Sequence, residues 1–218
     1  MLKVACPNLE ALLLRSGRKM KKTIIVIWTV LILFFLTEWA LALFILQFKN
    51  FVKVSPFADG ENWFLVEDLN YEVRDTGKII TVPAGFVTDF ASIPRPFWSI
   101  LPTWGKYGPP AVVHDFLYWD QRCTRDQADR ILLGAMEESD VGFIRRFFIH
   151  RAVAWGGGFG WDENEDIREE GKTREIPDGM VPQDPTTSWK AFQDSLFEKG
   201  VRPERRPSKE EPPEYCKD

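Results

Sequence analysis

The chain has 218 residues, a formal net charge of -4 and three cysteines. That length suits one domain of ordinary size with appendages and is short for two. The charge balance supplies no global basic field, which argues against nucleic acid as a partner. Cys6, Cys123 and Cys216 have neither the paired spacing of a zinc site nor the density of a disulfide scaffold.

After a basic segment over 1–22, residues 23–47 read TIIVIWTVLILFFLTEWALALFILQ, with Glu38 as the sole charge. A run of about 20 apolar residues spans a bilayer, so a transmembrane helix is expected over 23–47. Glu38 costs ~3 kcal/mol near mid-membrane, but each Leu, Ile, Val and Phe returns roughly 0.3 to 0.6 kcal/mol, and insertion wins. Lys3, Arg15, Arg18, Lys19, Lys21 and Lys22 precede the run, and Lys49 and Lys53 follow it. The N-terminus is therefore expected in the cytoplasm and the C-terminal domain outside it. Met20-Lys21-Lys22 ahead of Ala40-Leu41-Ala42 also fits a signal peptide with a downstream start, so the choice between signal anchor and cleaved leader stays open. Either way the same domain is exported.

Residues 51–161 form the expected globular domain. Trp63 to Arg74 is rich in β-formers, Asp75-Thr76-Gly77-Lys78 is a turn, and Ile79 to Val82 resumes the extended run, which predicts a hairpin. Phe86 to Phe90 restarts it after Pro83-Ala84-Gly85, and Ser92 to Gly108 is an aromatic, Pro-punctuated loop. Pro109 and Pro110 open a helix over Ala111 to Gln121, and Thr124 with Gln127 forms a capping box for a second. The short connection makes these two an antiparallel hairpin. A third helix, Val141 to Trp155, is expected to close at Gly156-Gly157-Gly158. The predicted class is α+β: a small antiparallel β-sheet, then a three-helix segment with the helix hairpin, preceded by the membrane helix. Residues 162–218 read as an acidic, mostly disordered tail with an amphipathic helix near 187–199, carrying Trp189, Phe192, Leu196 and Phe197 on one side.

His114 is one of only two histidines, and it stands in His114-Asp115-Phe116-Leu117-Tyr118 on the first helix of the hairpin. His114 and Tyr118, four apart, share a face, and Asp126 or Asp129 on the second helix can reach the imidazole. A carboxylate on a histidine fixes its tautomer and stabilises the imidazolium, as general-base catalysis requires. Asp115 and Asp89 offer oxygens to a hard cation such as calcium. The same group also reads as a satisfied polar network that fixes helix register. His150, among Arg145, Arg146 and Arg151, reads as a basic helix face that is solvated or turned to lipid headgroups.

The blocks VPAGFVTDFASIPR (82–95), YGPPAVVHDFLY (107–118), ADRILLGAM (128–136) and WGGGFGW (155–161) resemble a phage and prophage family of unknown function, domain of unknown function 1353, over about 51–161. HDFLY followed by ADRIL is also similar to the HDxxY and ADxxF helix pair of phospholipase A2, particularly the compact viral form. That second resemblance implies His114 as general base, Asp129 as its orienting carboxylate, Tyr118 as a network hydroxyl and Asp115 as a calcium ligand. The Gly-rich calcium loop of phospholipase A2 has no match here: Gly105-Lys106-Tyr107-Gly108 lacks the close G-x-G, leaving Thr88-Asp89-Phe90 as the other source of oxygen. The expectation is a membrane-anchored phage- or prophage-type protein acting as a non-catalytic module that binds an envelope or virion protein. The alternative is a His-Asp hydrolase of phospholipase A2 type acting on membrane lipid esters. The expected partners are the lipid bilayer and an envelope or phage protein, and calcium is the cofactor suggested.

Overall fold

Among the described residues there are five short strands and, besides the helical pair Trp28 and Thr29, four α-helices. The computed structural model describes residues 28–29, 50–90, 105–204 and 212–217. The basic segment 1–22, Cys6, most of the loop from Ser92 to Gly108 and the expected membrane helix 23–47 lie outside them, except that Trp28 and Thr29 are helical. Among the described residues no helix is long and apolar enough to cross a membrane.

Strands β1 (Val54–Pro56), β2 (Trp63–Leu65) and β5 (Val87–Thr88) form an antiparallel sheet in the order β1-β2-β5. Strands β3 (Leu69–Val73) and β4 (Lys78–Val82) form the predicted hairpin, with Leu69 opposite Val82 and Val73 opposite Lys78. The expected single strand from Trp63 to Arg74 is in fact two. Asp68 breaks it by turning its carboxylate onto the Ala84 backbone N–H at 2.8 Å, so β2 and β3 join different sheets.

The first helix, α1 (Gly108–Asp120), starts on its two prolines and buries nearly every residue, as the central helix of a core must. The second, α2 (Arg125–Glu138), opens on the predicted capping box: Thr124 Oγ1 accepts from Gln127 N–H, and Gln127 Oε1 accepts from Thr124 N–H. Tyr71 donates to Glu138 at 2.8 Å, and Arg74 pairs with the other oxygen of that carboxylate at 3.0 Å, which pins the hairpin to α2.

Two expectations are corrected here. Helix α3 runs from Phe143 to Glu169, straight through Gly156-Gly157-Gly158. Each interior glycine costs a helix about 1 kcal/mol, which tertiary packing offsets where a neighbour needs the space of a missing side chain. The segment beyond 161, read as mostly disordered, is packed through residue 204. Its first residues extend α3, and Arg174 to Ile176 then pair along Gly85 to Val87, with Ile176 N–H donating to the Gly85 carbonyl at 3.0 Å and Val87 N–H to that of Arg174 at 2.8 Å. Gly85 is required there, because its φ is +80° and a Cβ would stand 2.2 Å from the Ile176 carbonyl oxygen. Helix α4 (Trp189–Glu198), capped by Ser188, then lays Trp189, Phe192 and Leu196 on Phe57, Phe64, Val87 and Ile176, a second core beside the main one. Acidic composition averaged over the tail conceals these few apolar positions.

Sequence spacing also left the cysteines unassigned. Cys123, between α1 and α2, forms a disulfide with Cys216, 93 residues on, in a 3-10 turn at Glu214–Cys216.

Candidate functional site

The four-residue connection 121–124 between α1 and α2 holds the two helices side by side, which brings the candidate residues together. His114 Nε2 lies 2.9 Å from Asp129 Oδ1, and the Tyr118 hydroxyl donates to that same oxygen at 2.7 Å. A carboxylate only accepts, so Nε2 carries the hydrogen and Nδ1 is the basic nitrogen. The His114 and Tyr118 rings are 4.1 Å apart between centroids, as their four-residue spacing requires. His114 is 3% exposed and Asp129 7%, whereas Asp126, the other carboxylate within reach by sequence, is exposed.

Asp115 points away from this pair. Its Oδ2 accepts from the buried Thr88 hydroxyl and, at 3.3 Å, from the Asp89 backbone N–H, tying α1 to the end of β5. Thr88 Oγ1 in turn accepts from Phe90 N–H at 3.1 Å, and Phe90 has a φ of +60°. A bulky side chain in the left-handed region is strained, and such strain collects at functional sites. Here it turns the chain sharply after Asp89, whose side chain lines the same cavity as His114 and Asp115.

That cavity measures about 550 Å³, the size of a small-ligand site. His114, Asp115, Tyr118 and Asp89 line it, and Asp129 stands behind His114 and Tyr118. Helix α3 supplies the facing wall, and Arg174 and Gln193 come from the segment read as tail. The Arg174 guanidinium is fixed by the Val87 carbonyl and by Asn164 Oδ1, each at 3.1 Å. No sequence signal marked Arg174, because its place depends on the strand pairing with Gly85 to Val87.

The glycine run lies inside α3 and faces the site instead of ending the helix. A Cβ on Gly157 would meet the Tyr118 hydroxyl oxygen at 2.4 Å, so only glycine lets α3 lie this close over the His-Asp-Tyr group. Gly157→Ala is expected to gain about 1 kcal/mol in helix propensity and to lose about 1–3 kcal/mol by overpacking. The clash falls on Tyr118, so the variant is also expected to displace its hydroxyl from Asp129. Urea unfolding measures the net stability change, and the near-ultraviolet circular dichroism of the same preparation follows the aromatic packing around Tyr118.

Burial, and then the bond to Asp129, raises the Tyr118 phenol far above its ordinary 10.0, and burial with the Glu138 bond does the same for Tyr71. Both remain donors across the physiological range. A group held protonated in the fold contributes stability that is intact below the ordinary phenol value of 10.0 and is lost as pH climbs beyond it. Alkaline unfolding should therefore begin above that value, and Tyr118→Phe or Tyr71→Phe should flatten the fall, as followed by circular dichroism against pH.

Asp115 Oδ2 accepts from the Thr88 hydroxyl and from Asp89 N–H, and among the described residues no three His, Cys, Asp or Glu side chains gather. Asp115 is thus an anchor between helix and strand, and no step below runs through a metal.

No curated protein and no solved structure matches the chain. Residues 63–153, from β2 into α3 and including His114, Asp115, Tyr118 and Asp129, match the model of the family DUF1353, described as a protein of unknown function.

Proposed function

We propose that the protein is a hydrolase of lipid esters that uses His114 as general base, held at a bilayer outside the cytoplasm. The observation that carries this reading is the shared oxygen of Asp129, which takes both His114 Nε2 and the Tyr118 hydroxyl at the edge of a cavity. Nδ1 of His114 takes a proton from water, and the water oxygen adds to the ester carbonyl carbon. The carbonyl–alkoxide bond then breaks, and the same proton passes from Nδ1 to the leaving oxygen, giving a carboxylic acid and an alcohol. Asp129 stabilises the imidazolium between these steps, and Tyr118 fixes Asp129. Arg174 places a fixed positive charge on the cavity wall, suited to a phosphate or to developing negative charge.

The location rests on two supports. The Cys123–Cys216 disulfide suits an oxidising compartment. The apolar run 23–47, with its basic residues before it, suits an exporting anchor. A phage or prophage origin belongs to the same reading and follows from the resemblance of the sequence blocks.

The test uses the full chain reconstituted in mixed phosphatidylcholine and phosphatidylglycerol vesicles, with release of free fatty acid as the readout. Wild type is expected to release it and His114→Asn not to. Added calcium is expected to leave the rate unchanged. No release by wild type under either condition rejects the hydrolase reading. A second reading, a non-catalytic module that binds an envelope or virion protein, is favoured by the exposed apolar side chains of α3; it requires His114→Asn to keep full biological effect.

A further inference from the structure

The stretch Phe143 to Trp155 of α3 carries Arg145, Arg146, His150 and Arg151 and no acidic residue, in a chain of net charge -4. Ile144, Phe148, Trp155 and Phe159 follow one another at intervals of four, seven and four, so they stand on one line of the helix, with Arg151 in the gap. Phe143 and Phe147 lie one position to the side. All six apolar residues are exposed, from 50% at Phe148 to 93% at Trp155. They form a ridge about 24 Å long at a rise of 1.5 Å per residue. Exposed apolar surface on this scale marks a contact surface. Phe148 and Phe159 also line the cavity that holds His114, so the ridge borders its mouth.

We propose that this ridge is an interfacial surface that seats on an anionic lipid bilayer, with the aromatic side chains at headgroup depth and Arg145 and Arg151 against lipid phosphates. Charge complementarity argues for it: Arg145 and Arg151 are exposed, and Arg146 pairs with Glu137 at 2.8 Å, in a helical stretch without a negative side chain. Arg151 chooses between lipid and protein. A long cationic side chain within an apolar line reaches up to phosphate at a bilayer, whereas a dry protein groove would have to bury it against a matched carboxylate. Chain length agrees, since only residues 48–53 join the apolar run ending at Gln47 to β1, a tether of at most ~22 Å. The inference stands apart from hydrolysis, because it concerns which surface meets the membrane.

The test places p-benzoylphenylalanine at position 147, 155 or 79 of the full chain. Ile79 is an exposed position on the β3–β4 hairpin and serves as control. Chains are reconstituted in phosphatidylcholine with or without phosphatidylglycerol and irradiated, and lipid adducts are counted by mass spectrometry. Positions 147 and 155 are expected to give lipid adducts several-fold above position 79, and more in anionic vesicles. Arg145→Glu and Arg151→Glu are each expected to lower the adduct yield about fivefold in anionic vesicles, with little change in phosphatidylcholine alone. Equal yields at the three positions, adducts to a second copy of the chain, or indifference to both charge reversals would overturn the proposal. Ridge adducts without hydrolysis by wild type sink the hydrolase reading alone; hydrolysis without ridge adducts sinks the docking surface alone.

Discussion

Asp129→Asn is expected to lower ester hydrolysis by about 10²–10⁴-fold while leaving the fold in place. The amide keeps the shape of the side chain and can still accept from His114 Nε2 and Tyr118 through its oxygen, at the 2.9 and 2.7 Å seen for the carboxylate. In the proposed mechanism it removes the charge that stabilises the imidazolium formed when Nδ1 takes a proton. His114→Asn removes the base itself and should fall at least as far. The two losses should not add, because both delete one unit; the double variant should match the worse single one. Tyr118→Phe tests the outer bond, and its loss should be smaller, since Asp129 keeps its charge. If Asp129→Asn left hydrolysis intact while His114→Asn abolished it, the carboxylate would have no part in the chemistry. Circular dichroism and urea midpoints on each variant separate lost chemistry from lost fold.

Cys123→Ser is expected to destabilise the folded domain by about 4–5 kcal/mol, because the disulfide closes a loop of 93 residues and so restricts the unfolded chain strongly. Such a loss is a large fraction of the stability of an ordinary domain. The closed loop contains α2, α3 and α4, hence Asp129, the glycine run and Arg174, so the tie also holds the cavity walls together. Cys216→Ser and reduction of wild type should give the same loss, and the double variant no more than either. Urea midpoints with and without reductant measure this. Equal midpoints under both conditions would mean that the bond constrains nothing. Mass spectrometry of chain made with and without export would show whether the bond forms only outside the reducing cytoplasm, which bears directly on the proposed location.

Local chemistry made part of this molecule readable from sequence. Hairpin β3–β4 follows from β-formers around a Gly turn, α1 from Pro109 and Pro110, and α2 from Thr124 and Gln127, since each signal acts within four residues of its effect. The His114, Tyr118 and Asp129 group was legible for the same reason: two residues four apart on one helix, and a short connection that forces the next helix alongside. The matched family segment, residues 63–153, covers this legible part.

Tertiary structure decided the rest. Gly157 reads as a helix stop until Tyr118 is seen 2.4 Å from where its Cβ would be. Asp115 stands on α1 with no sign in its own helix of the Thr88 hydroxyl that β5 brings onto its Oδ2. Arg174 and α4 sit in a stretch whose average composition is that of a disordered tail. They are placed by the backbone pairing to Gly85 and by three apolar residues spaced for one helix face. Cys123 and Cys216 share no local pattern, and only a closed fold brings two residues so distant in sequence within bonding distance. Sequence by itself thus determined which side chains one turn or one hairpin must bring together. Contacts between distant segments depend on which surfaces the whole chain buries, and that is settled only when the core closes.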